Sequence, residues 1–176
     1  MTDSMGAMML AGLGLAVFIV LLAWAAWGDV RRYIIPNRIS ALILAAYIPF
    51  ALGTAFLPDL YPSVNWFGGL IAGGAVLLAG LALFAAGVMG GGDVKLLASA
   101  SVWAGPALVL HLLMATALAG GLVALIVLIA RARRQLPASD NAPPKTSAPL
   151  PYGVAIAIGG LVVAGQLAAA VWSAAA

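Results

Sequence analysis

Residues 94–130 read VKLLASASVWAGPALVLHLLMATALAGGLVALIVLIA, an apolar run of 37 residues with one charge, Lys95. A helix needs about 20 apolar residues to cross the hydrocarbon core of a bilayer, so the run is too long for a single crossing. Gly105-Pro106 supplies the break, because proline lacks an N–H donor and disfavours helix in the residue before it. The run therefore reads as a short fourth helix, Val94–Ala104, and a long fifth, Pro106–Ala130. Working outward, Met5–Trp27, Ile39–Leu57 and Trp66–Val88 are three earlier spans, with Pro49 as a predicted kink in the second. Gly153–Trp172 is the sixth. The predicted fold class is all-α, a polytopic membrane helix bundle of about six transmembrane helices.

Composition excludes the alternatives. Of 176 residues 65% are hydrophobic and 7% charged, against about a quarter charged in a soluble domain. High apolar content and a net charge of +3 also exclude intrinsic disorder. With no cysteine and one histidine, His111, disulfides, thiolate sites and multi-histidine metal sites are out of reach. No metal or other cofactor is expected. The basic excess does not point to nucleic acid, because of where it lies. Arg31, Arg32, Arg38, Lys95, Arg131, Arg133, Arg134 and Lys145 all fall on one side of a six-span arrangement. The positive-inside rule makes that side cytoplasmic and places both termini on the outer, periplasmic side. Residues 131–151, rich in proline and basic at the start, read as a cytoplasmic linker within one membrane domain covering 1–176, with Arg131–Arg134 as a lipid-headgroup anchor. Trp24, Trp27, Trp66, Trp103 and Trp172 fall near predicted span ends, where interfacial anchors belong. Gly69 and Gly73, in GxxxG spacing, read as helix-packing positions within the molecule.

Two segments carry the candidate chemistry. Asp29-Val-Arg-Arg-Tyr-Ile-Ile-Pro-Asn37 ends span one, and Gly90-Gly-Gly-Asp93-Val-Lys95 opens span four. Spans one and three run the same way, so both segments emerge at one membrane face and Asp29 can meet Asp93. Ionisable groups at membrane depth are functional-site candidates. Two close aspartates share a proton because both cannot ionise cheaply, which lets one activate water while the other acts as an acid. The glycines before Asp93 are expected to leave the backbone free to bend into a substrate cleft and to let an extended peptide approach closely. Lys95 is placed to hold one carboxylate ionised or to position the loop, and Asn37 to cap span two. A reading without chemistry also exists. Asp29 beside Arg31 and Arg32 is then an interfacial charge cluster, Asp93 a favourable charge at a helix N-terminus, and the chain a non-catalytic membrane subunit or small transporter.

The two segments resemble the signature of the type IV prepilin peptidase family, the GxGD membrane aspartic proteases. The matching residues are Asp29, Arg31, Arg32, Ile35-Pro36-Asn37, then Gly90, Gly92, Asp93 and Lys95. Leu150-Pro151-Tyr152-Gly153-Val154-Ala155-Ile156 is similar to the family's stretch at the start of the last helix. The resemblance implies an aspartic endopeptidase of the inner membrane that cuts prepilin leader peptides at the cytoplasmic face. Asp29 and Asp93 are its implied catalytic pair. Gly90, Gly92, Lys95, Arg32, Pro36, Asn37, Tyr152 and Gly153 are its implied supporting or substrate-cleft residues. Its partners are prepilins or pseudopilins and membrane lipid. Larger members carry a cytoplasmic N-terminal methylation domain, often with paired CxxC motifs. With few residues before span one and no cysteine, the chain resembles the compact tight-adherence, or Flp pilus assembly, branch, and N-methyltransferase activity is not expected of it.

Overall fold

The computed structural model describes residues 2–56, 65–133 and 150–173. Asp59 and most of the predicted linker lie outside the described residues. Among the described residues five helices follow in order: α1 (Thr2–Arg32), α2 (Asn37–Ala55), α3 (Trp66–Ala85), α4 (Gly91–Arg133) and α5 (Tyr152–Ser173). All five are long and apolar enough to cross a membrane.

Helix α4 contains the predicted break. Gly105 has φ 58° and ψ −175°, a region essentially closed to residues with a Cβ. The limbs on either side, 91–104 and 106–133, run in opposite directions, as their neighbours show. Gly153 and Gly160 of α5 lie against Asp29 and Leu22 of α1, so these helices are antiparallel. Gly14 against Phe50 and Gly53 against Ala7 make α1 and α2 antiparallel. The first limb runs with α2, since Lys95 bonds Asn37 and Trp103 bonds Ile43. The second runs against α5, with Gly159 at Leu112 and Gly120 at Ala155. Five helices therefore hold six segments of alternating direction. The first limb is only about 21 Å long at ~1.5 Å per residue, short of the ~30 Å core. Its turn is tolerable because Ala104 and Gly105 are buried in protein, where irregular backbone at membrane depth is permitted.

Small residues set the helix spacing. A Cβ on Gly69 or Gly73 of α3 would strike Val102 of α4, and one on Gly80 would strike the Val94 side chain. The GxxxG pair thus packs within the molecule, as expected. Helix ends follow local rules. Asn65 Oδ1 accepts from the Gly68 N–H at 2.9 Å, an N-cap for α3. Gly87 (φ 71°) closes α3 with Gly87 N–H to Phe84 O and Val88 N–H to Leu83 O, the two bonds of a Schellman motif. That is why α3 stops at Ala85, short of the predicted Val88.

One predicted anchor belongs to the core. Trp103 is 2% exposed, stacks on Phe18 at 4.2 Å and 5°, and meets Tyr47 edge-on at 5.4 Å. Its indole N–H donates to Ile43 O at 3.0 Å, which meets the polar demand of a buried tryptophan. Because the first limb is short, a residue near its end lies inside the bundle. Trp24, Trp27, Trp66 and Trp172 are each at least half exposed.

Candidate active site

At one end of the bundle α1 stops, α2, α4 and α5 begin, and the two aspartates come together. Helix α1 ends with Tyr33 in the left-handed region (φ 51°), its N–H donating to Asp29 O at 2.9 Å. A single five-to-one bond of this kind is a helix C-cap that usually takes glycine. The turn sends residues 34–36 across the bundle end, and α2 starts at Asn37 with Pro36 as its N-cap. Asn37 therefore does not cap α2. Its side-chain oxygen accepts from Lys95 Nζ at 2.9 Å instead. Lys95 thus ties the start of α4 to the start of α2 through a neutral amide.

Asp29 is 4% exposed. Its Oδ2 accepts from the Gly153 N–H at 2.6 Å, and the Val154 N–H also faces it. These belong to the first turn of α5, whose amides have no partners within the helix. Asp93 lies in the first turn of α4, with the Gly90 N–H facing its carboxylate, the back-reaching half of a capping box. Each aspartate thus sits at a helix N-terminus, where free amides and the helix dipole favour negative charge. This offsets part of the cost of two acidic groups at membrane depth. The carboxylates are near enough for Asp93 to feel the charge of Asp29.

Both line one cleft of about 420 Å³. Tyr33, Ile34 and Ile35 form one wall, Gly90–Gly92 and Val88 another, and Leu150 and Tyr152 the rim. The structure thus gathers Asp29, Asp93, Gly90, Gly92 and Tyr152 around one space, with Gly153 supporting Asp29. Arg32 and Pro36 line a neighbouring pocket. Asn37 and Lys95 line a third, between α2, α3 and α4. Sequence reasoning missed Tyr33, Ile34, Ile35, Val88, Gly91 and Leu150 as cleft residues. All but Val88 lie within a quoted segment, but no residue type there announces a cleft.

The glycines before Asp93 sit in ordinary backbone. Gly91 and Gly92 are helical, and none of Gly90–Gly92 has positive φ. What matters is the missing side chain. A Cβ on Gly92 would lie 3.2 Å from Ile35 Cβ, and one on Gly90 2.8 Å from Asp93 Oδ2. Among the described residues no group of three or more metal-ligating side chains is present.

The type IV leader peptidase family matches residues 16–125, a stretch holding both aspartates. The prepilin leader peptidase/N-methyltransferase of Bacillus subtilis (strain 168) is 33% identical over 150 residues, covering 83% of this chain and 52% of that protein. The chain thus spans about half the length of that relative. No solved structure matches it. The family match covers more than half of a chain that spans the membrane and holds two aspartates over one cleft, and the chain belongs to the type IV leader peptidase family.

Proposed function

We propose that the chain is an aspartic endopeptidase that removes leader peptides from prepilins at the cytoplasmic face of the inner membrane. The observation that carries this reading is the juxtaposition of Asp29 and Asp93, 64 residues apart in sequence, on one open cleft at one end of the bundle. That end holds Arg31, Arg32, Arg38 and Lys95, so the positive-inside rule supports a cytoplasmic orientation. The methyl transfer in the relative's name is not part of the proposal.

The chemistry follows from the pair. One aspartate, ionised, takes a proton from a water as its oxygen adds to the scissile carbonyl carbon. The other, protonated, donates to the carbonyl oxygen and stabilises the tetrahedral adduct. Collapse breaks the C–N bond, the leaving nitrogen takes the proton held by the first aspartate, and a hydroxyl of the adduct returns a proton to the second as the carbonyl re-forms. The resulting acid ends on one product and the amine on the other. The two carboxyls share their protons, so the roles belong to the pair. The substrate's polar leader would stay in the cytoplasm while its apolar helix lies against the bundle in lipid. The Flp-type substrate class rests on the resemblance to the tight-adherence branch alone.

The direct test replaces Asp29 or Asp93 singly by Asn, which keeps size and removes the acid–base function. Prepilin processing in membranes should be lost in each variant while insertion persists. Full processing by either one would remove the pair from the mechanism.

A further inference from the structure

Beside the cleft lies a second cavity, of about 310 Å³, that the peptidase chemistry does not use. Arg31, Arg32 and Arg38 line it together with Trp24, Trp27 and Ile34, and no carboxylate does. The Arg31 guanidinium lies 4.2 Å from the Trp27 ring centroid, a cation–π contact that fixes its direction. Three like charges drawn into one concavity repel each other until an anion joins them. Trp24 and Trp27 are 50% and 59% exposed, on a helix that crosses the membrane, with apolar faces suited to headgroup depth. Basic pockets between transmembrane helices at this depth bind anionic headgroups, and guanidinium matches phosphate in two-point geometry.

We propose that this pocket binds the phosphate of an anionic phospholipid in the leaflet at the Asp29 end of the bundle. The indoles favour a lipid over an acidic peptide, since they place the site at the bilayer surface. Ile34 lines both this pocket and the cleft. A bound lipid therefore steadies the 33–36 connection that forms the cleft wall, and anionic lipid raises cleavage. The second consequence rests on the peptidase reading; the binding does not.

The full chain is reconstituted in phosphatidylcholine vesicles, in a W66F/W172F background that leaves Trp24, Trp27 and the buried Trp103. Brominated phosphatidylglycerol should quench the remaining fluorescence more strongly than brominated phosphatidylcholine at equal mole fraction. Arg31→Gln and Arg38→Gln should each lower that preference roughly fivefold. Equal quenching by the two lipids overturns the proposal. So does a preference unchanged in R31Q/R38Q, which would put the lipid elsewhere, or a preference unchanged while cleavage of an acidic peptide weakens, which would make the pocket a peptide dock. Phosphatidylglycerol should also raise the wild-type cleavage rate, with no rise in R31Q/R38Q; selective quenching without that rise overturns the coupling. If the wild type cleaves in no lipid, the peptidase reading fails while the quenching still decides the pocket.

Discussion

Gly153→Ala isolates what holds Asp29 in place. A Cβ at position 153 would sit 2.8 Å from Asp29 Oδ2, 3.0 Å from Asp29 Cβ and 2.8 Å from Ile35 Cδ1. Ordinary contact begins at 3.4 Å, so the carboxylate must retreat by about 0.6 Å, and its near end is blocked as well as its tip. The retreat stretches the 2.6 Å bond from the Gly153 N–H, a charge-assisted bond of a class that contributes about 1.5–3 kcal/mol. A catalytic group misplaced by about 1 Å costs on the order of 100-fold in rate. At about 1.4 kcal/mol per decade, the two estimates agree on a loss of about 10- to 100-fold in kcat for prepilin cleavage. The assay is the initial rate in reconstituted vesicles, with thermal unfolding followed in parallel. Ile35→Val added to Gly153→Ala removes Ile35 Cδ1 and leaves the carboxylate clash. The double variant should stay as slow as the single one. Recovery of the wild-type rate would show that the wall residue, and not Asp29, was displaced, and would refute the reasoning.

Gly105→Ala meets no atom within 4 Å but forces alanine to φ 58°. It should destabilise the bundle by about 1–3 kcal/mol, read as a lower midpoint of detergent-induced unfolding. Gly73→Leu drives a side chain into Val102 and Ala98 of α4 and should separate α3 from the first limb, seen as faster proteolysis and a lowered melting temperature. Lys95→Ala removes one exposed hydrogen bond to Asn37 and should cost about 1 kcal/mol or less of stability. The chain has no cysteine, so single cysteines report sidedness directly. Val88→Cys and Leu150→Cys should react with an impermeant thiol reagent from the cytoplasmic side and Phe67→Cys should not; the reverse pattern would overturn the proposed orientation.

Much of the architecture was legible because lipid imposes a coarse grammar on sequence. The break at Gly105-Pro106 could be read from run length and proline chemistry alone, and the alternating helix directions bear it out. The meeting of Asp29 and Asp93 followed from parity. What was not legible depends on packing across elements. Trp103 looks like its four interfacial counterparts until the first limb of α4 proves too short to carry it to the surface. Asn37 looks like an N-cap until Pro36 takes that position and Lys95 takes the amide. Gly153 gave no sign in sequence that its amide would hold an aspartate from α1. Tyr33 adopts a conformation that its residue type argues against, so no local rule could assign it.

The glycines near the aspartates act here through the space that a missing side chain leaves. Gly90 and Gly92 stand at the start of α4 and Gly153 at the start of α5. Side chains at these positions would strike Asp93, Ile35 and Asp29 respectively. Each glycine lets a helix N-terminus approach a carboxylate or the wall beside it. An acidic pair at membrane depth needs compensation, and a lysine or arginine at the pair would favour the ionised form of each carboxyl and, on the proposed mechanism, deplete the acid. Helix amides supply partial positive charge without adding a competing side chain. Space for those amides is therefore the resource the sequence encodes. On this argument Gly90→Ala, which moves Asp93 Oδ2 from its 2.8 Å approach, should lower the cleavage rate while leaving helix α4 in place, since the change falls at the N-cap, before the first helical residue Gly91, where losing glycine costs about 1 kcal/mol or less. An unchanged rate in Gly90→Ala would mean that the space around Asp93 is not what the motif protects.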